Sequence, residues 1–198
     1  MRGAPPSTVL MLGISSGVPS SRLAALLALH RAKEPETPVS MEEVTSSPDL
    51  IEGVKNGRYD IGLVATTTPA DDAPLWREEL AVAVPDRSPL LRYAAIPLGA
   101  LLSYPLFQYC PLACEVLFGQ EWPVLYGVTS YELMTVMVSA GYGVGIAPRS
   151  RIEQSRSWGV VMRPLADGSY WIGTHMFRSE RNDPPAIERF VKRAQTIA

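Results

Sequence analysis

Several groups of residues in this chain have the types and spacing that could do chemistry. Gly13-Ile14-Ser15-Ser16-Gly17 spells the G-x-S-x-G of a hydrolase nucleophile elbow, after an apolar run and before a leucine-rich helical pattern. The same hydroxyls and backbone N–H groups could instead cradle a polar or anionic ligand at a helix N-terminus, or form a simple turn. Gly141-x-Gly143-x-Gly145 has the look of a dinucleotide loop, and Cys110 and Cys114 stand four apart in "CPLAC". His30 and His175 are the two histidines.

Catalysis fits these residues poorly. An elbow serine needs an acid and then a histidine downstream, and His30 falls inside the very next helical pattern, leaving only His175. An elbow on the first strand also leaves no earlier loop to donate a second oxyanion N–H. The glycine triplet lies between a helix and a strand, whereas a nucleotide loop runs from strand to helix, so it reads as a helix stop and turn. Neither histidine has a partner at metal-ligand spacing, and the cysteines lack the further ligands of a zinc site. They read as packing residues; a redox pair would require Pro111 to hold a non-helical loop, because four residues apart on a helix the Cβ atoms are too distant. No cofactor, metal or catalytic residue is expected, which leaves a ligand cradle or a turn.

The elements that must position these residues alternate strand and helix. Val9–Gly13 is expected as a strand, and Pro19 as the first residue of a helix carrying Leu23, Leu26, Leu27 and His30. Pro38–Val44 alternates as a second strand. Ser47 is expected to cap a second helix, ahead of Pro48 and Asp49, and Tyr59–Ala65 is a third strand. Glu79–Pro85, a strand ending at Tyr109, another stopping at Thr129, the run "GYGVGIAP" and Ser169–Phe177 complete the strands. Thr129-Ser130-Tyr131-Glu132 fits a capping box that Thr129 opens, and Asp183-Pro184-Pro185 begins a final helix.

This is an α/β pattern, and it divides naturally into lobes: residues 8–80 with 171–198 form one, and 81–170 the other, with 1–7 as linker or appended residues. Two chain crossings leave an inter-lobe cleft, the usual place for a small ligand. With 46% hydrophobic and 19% charged residues and a net charge of −2, the chain has a globular composition and no basic field for nucleic acid. No apolar run nears the roughly 20 residues that span a bilayer, and "MRGAPPS" has no apolar signal region, so a cytoplasmic protein without membrane contact is expected.

Several segments together resemble the effector-binding domain of LysR-type transcriptional regulators. They are "LMLGISSGVPSSRLAALLALHRAKEP", "PDLIEGVKNGRYDIGLV", "REELAVAVPDRSPL", "LLSYPLFQY" and, most specific, "VTSYELMTVMVSAGYGVGIAPRS", with a closing "FVKRA" helix. The resemblance covers nearly the whole chain in order. It implies a fold like the type 2 periplasmic binding proteins, two Rossmann-like lobes joined by two crossover strands. It also implies a metabolite in the inter-lobe cleft, coupled to a winged helix-turn-helix that would precede Thr8 and through which alone DNA is read. A solute-binding or other sensory module of the same fold remains the alternative, and an enzyme is a more distant one.

Ser15, Ser16, Ser47 and Thr66 are the expected effector-binding residues of the first lobe. Phe107, Tyr109 and Thr129 are those of the second. A pocket rich in hydroxyls, with aromatic walls and no certain arginine, favours an organic acid or an aromatic metabolite. The apolar stripe of the first helix, widened by Leu29, Ala25 and Ala28, and the Ser130–Ala140 helix point to a homodimer, with a higher oligomer in the full-length protein.

Overall fold

The computed structural model describes residues 9–67, 73–110, 112, 125–166, 168, 170–179 and 185–197. The chain divides into two compact units, Met1–Trp76 with Thr174–Ala198, and Arg77–Gly173.

In the first unit, β1 (Leu10–Ser15), α1 (Ser20–Lys33), β2 (Val39–Val44), α2 (Ser47–Lys55) and β3 (Ile61–Thr66) follow one another. The later part of β9 (Trp171–Arg178) and α6 (Pro185–Thr196) complete it. The strand order is β2-β1-β3-β9. β1 is parallel to β2 from Leu10↔Val39 to Ser15↔Val44, and parallel to β3 from Leu12↔Ile61 to Ile14↔Leu63. Asp60 fixes that register: its N–H donates to the Met11 carbonyl at 2.9 Å and its carboxylate accepts the Met11 N–H at 2.8 Å. β3 is buried along almost its whole length, as expected of a parallel strand covered on both faces. β2, on the edge, exposes Met41, Glu42 and Glu43, and the two carboxylates guard an open strand.

Close packing of α2 onto the sheet depends on glycine. Gly13 and Gly62 face each other across β1 and β3. A Cβ on Gly13 would lie 2.2 Å from Leu50 Cδ1, and one on Gly62 2.8 Å from Val54 Cγ2. Leu50, Val54, Tyr59 and Val64 form the core beneath. The first glycine of the G-x-S-x-G spelling is therefore a packing residue.

On α1 only Leu26 and His30 are buried. His30 meets the ring of Phe190 on α6 edge-on at 5.2 Å. Its Nδ1 accepts from Arg193 at 3.1 Å and its Nε2–H donates to the Thr37 carbonyl at 3.3 Å. Glu34, just past α1, is buried under Arg189 and Arg193 of α6.

The second unit holds β4 (Trp76–Pro85, from Arg77 on), α3 (Leu98–Leu101), β5 (Leu106–Gln108), β6 (Leu125–Gly127), α4 (Tyr131–Ser139), β7 (Val144–Pro148), α5 (Arg149–Gln154) and β8 (Val160–Arg163). Their order is β4-β7-β5-β6, with β8 on the other side of β4. β5 is parallel to β6 and to β7, and β4 runs antiparallel to β7 and β8. Phe107, Tyr131, Met134, Val138, Ala147 and Ile152 lie in its core. Gly141, at φ +83°, ends α4 in a conformation that favours glycine. A Cβ on Gly145 would lie 2.8 Å from Met134 Sδ. The glycine triplet is thus a helix stop and a packing device, with no nucleotide loop.

Several local expectations are corrected. Pro19 precedes α1 as its cap residue instead of opening it. Ser46, not Ser47, caps α2: its Oγ accepts the Asp49 N–H at 3.3 Å, and Ser47 is the first helical residue. Ser130, not Thr129, caps α4, accepting the Leu133 N–H at 3.2 Å. Thr66 is the last residue of β3 rather than the residue beyond it. Asp183 and Pro184, expected to start the final helix, lie outside the described residues, as does Cys114.

Candidate functional site

Each unit contains a parallel trio of strands in the same order. In the first, the chain leaves β1, forms β2 on one side, and returns past β1 to form β3 on the other. In the second, β6 lies on one side of β5 and β7 on the other. Such a reversal splays the connecting segments apart and opens a crevice beyond the carboxyl ends of the strands where the order switches. The switch points are β1/β3 and β5/β7.

At the first switch point stand Ser15 and Ser16 at the end of β1, and Thr66 at the end of β3. Val44 ends β2 level with Ser15, so Ser47 belongs to the same edge. The fold brings all four expected residues of this lobe to one edge, but not in equal roles. Ser15 is buried, and its Oγ accepts the Ala65 N–H at 2.7 Å, stitching β1 to β3. Its weaker donation, 3.5 Å, goes to the Ser16 carbonyl. Neither of these partners is a histidine or another base. Ser16 is half-buried at the second position of a turn closed by Val18 N–H on the Ser15 carbonyl. Gly17 sits third at φ +97°, the value that such a turn demands of glycine. Ser47 and Thr66 are also half-buried.

The second switch point is built from aromatic rings and a guanidinium. Tyr109 directly follows β5, and Arg151 lies in α5, which begins immediately after β7. The rings of Tyr109 and Tyr131 meet edge to face at 5.5 Å. The Arg151 guanidinium sits 4.6 Å from the Tyr131 centroid and 5.2 Å from that of Tyr109. Tyr131 is fixed in turn, its hydroxyl bonded to the Arg151 carbonyl at 3.0 Å and to Ser155 Oγ at 2.9 Å. The hydroxyl of Tyr109 and the Oε1 of Gln108 are buried without a hydrogen-bond partner. Burial pushes the Tyr109 phenol well above its usual pKa, so it keeps its proton and remains a donor. Glu132 approaches Arg151 at 3.6 Å with its side chain 57% exposed. Hydrogen bonding to its own backbone amide holds its carboxyl below the usual range, with Ser130 and Arg151 contributing.

The remaining expected residues are less involved. Phe107 is a core residue whose ring stacks on Tyr126 at 5.3 Å, and Thr129 is exposed just before the α4 cap. Arg151 and Gln108 were not expected. The sequence signal for the former is the Arg149-Ser150-Arg151 run that follows a strand end, which becomes meaningful only once β7 is known to lie beside β5. A cavity of about 330 Å³ lined by Val9, Asp60, Ile187 and Arg189 lies at the opposite, amino end of β1 and is not part of this site. Among the described residues no group of His, Cys, Asp and Glu is placed to hold a metal. Nor is any helix there long and apolar enough to cross a membrane.

A family model described as the LysR substrate binding domain matches residues 3–197. Among solved structures, full-length BenM carrying E226K is similar at 20% identity and a TM-score of 0.79, over 99% of this chain and 69% of that one. The BenM effector binding domain with its effector benzoate is similar at 20% identity and a TM-score of 0.77, over 96% and 91%. The reduced OxyR regulatory domain from Pseudomonas aeruginosa is similar at 22% identity and a TM-score of 0.77, over 96% and 98%. No curated protein matches the chain.

Proposed function

Because the chain belongs to the LysR substrate binding domain family, the effector-binding domains of LysR-type transcription regulators, we propose that it senses an organic acid or an aromatic metabolite. The observation that carries this reading is the convergence of polar side chains on both switch points. Ser16, Ser47 and Thr66 supply hydroxyls at the ends of β1, β2 and β3, and Tyr109 and Thr129 lie at the ends of β5 and β6. Ser15 acts by holding the β1/β3 edge in shape. Occupancy is passed to a winged helix-turn-helix that reads DNA. The protein works as a homodimer through α1 and α4, in the cytoplasm, and carries out no reaction on its ligand.

An aromatic acid is supported by analogy with the BenM domain, whose effector is benzoate. Calorimetric titration with a panel of aromatic and aliphatic acids tests the placement. Ser16→Ala and Ser47→Ala are each expected to weaken binding several-fold without altering the fold. Unchanged affinity in both contradicts it.

A further inference from the structure

Arg151 lies between two tyrosines. Two aromatic rings lie against the guanidinium, at 4.6 and 5.2 Å from their centroids. An aromatic ring attracts a guanidinium but offers its N–H donors no oxygen acceptor, so the fork of donors keeps its capacity for a carboxylate. Its anionic neighbour among the described residues is Glu132, at a distance longer than a charge-assisted hydrogen bond and with most of that carboxylate in solvent. An exposed pair of this kind is weak. Beside the same guanidinium lies the Tyr109 hydroxyl, buried, protonated and without an acceptor. A desolvated donor left unpaired is costly, and the cost is recovered when an acceptor arrives.

We propose that Arg151 anchors a carboxylate of the effector, with the Tyr109 hydroxyl as its second donor. The inference rests on the effector reading above and narrows it to an acid, adding an arginine to a pocket for which none was expected with certainty. A carboxylate suits the site better than a phosphate. One guanidinium and a neutral phenol balance a single negative charge, whereas a dianion would sit partly uncompensated next to Glu132. A carboxylate also matches the fork with two parallel hydrogen bonds. Glu132 is then a weak competitor for Arg151 that the ligand displaces.

The test follows the Arg151 Nε–H and the backbone amides of the ¹⁵N-labelled chain by NMR during titration with benzoate, benzamide and inorganic phosphate. Benzoate is expected to move the Arg151 signal saturably, and benzamide and phosphate to leave it in place. Arg151→Gln is expected to weaken benzoate binding roughly 10- to 100-fold, the loss of a charged hydrogen-bonding partner, and Arg151→Lys to recover part of it. Glu132→Gln, which leaves the aromatic stack intact, is expected to tighten binding several-fold, a gain that a merely structural Arg151 does not give. The proposal is overturned if benzoate produces no saturable movement of Arg151, if benzamide or phosphate moves it equally, or if Glu132→Gln leaves affinity unchanged. Movement of the Ser16 and Thr66 amides without Arg151 overturns the anchor alone and leaves the effector reading standing.

Discussion

Adjacent serines at the end of β1 have different duties, and their substitutions should separate stability from binding. Ser15→Ala removes the acceptor of the buried Ala65 N–H. It is expected to cost about 1–3 kcal/mol in urea unfolding, the penalty of an unsatisfied buried donor. Ser16→Ala is expected to leave the unfolding midpoint within error while weakening the ligand. Glu34 carries a pH signature. Its hydrogen bond to Arg189, aided by Arg193, holds its carboxyl at about 2 against an ordinary 4.5. A carboxylate depressed in the folded state stabilises the protein above its unfolded pKa, and that stabilisation disappears as pH falls through the folded value. The contribution of Glu34 is therefore full above about pH 4.5 and lost progressively towards pH 2. Glu34→Gln should lower stability by roughly 1–3 kcal/mol at pH 7. The gap to the parent protein should close between pH 4.5 and pH 2 in denaturant midpoints measured across that range.

The strand and helix pairs are held together by small residues and caps that sequence reveals unevenly. Gly13→Ala places a Cβ 2.2 Å from Leu50 Cδ1. It is expected to cost about 1–3 kcal/mol through overpacking, lowering Tm by a few degrees in calorimetry. Ser46→Ala should cost about 1 kcal/mol as a lost cap, while Ser47→Ala should be nearly neutral in stability. The alternation of apolar runs and helical periods was enough to read the α/β class and most strands, because those patterns are local. Caps slipped by one residue where two adjacent side chains were both competent. Proline is tolerated at the first or second helical position, so Pro48 did not choose between Ser46 and Ser47. The hydroxyl edge of the first unit was legible because Ser15 and Thr66 close their strands and Ser16 directly follows one. Arg151 was not, since its partnership with Tyr109 and Tyr131 depends on β5 and β7 being neighbours, a pairing between segments far apart in sequence.

For the molecule as a whole, helix α4 leaves Leu133 and Val136 at 50% and 54% exposure, and α1 leaves Leu23, Leu27 and Leu29 half-buried. Two-fold pairing of copies through these helices would bury such faces, so sedimentation at micromolar concentration should give a dimer, and Leu29→Asp should dissociate it. A single species near 21.6 kDa contradicts pairing. Effector sensing itself is tested most directly by ligand stabilisation. A ligand that binds only the folded chain at 100 times its Kd adds about 2.7 kcal/mol, several degrees in Tm for a chain of this size. In a thermal-shift screen of organic acids, sugars and nucleotides, an organic acid is expected to raise Tm by that amount in a concentration-dependent way, and Ser16→Ala and Arg151→Gln are each expected to reduce the rise. A rise produced by sugars or nucleotides but not acids, a rise undiminished in both variants, or no rise with any compound contradicts it.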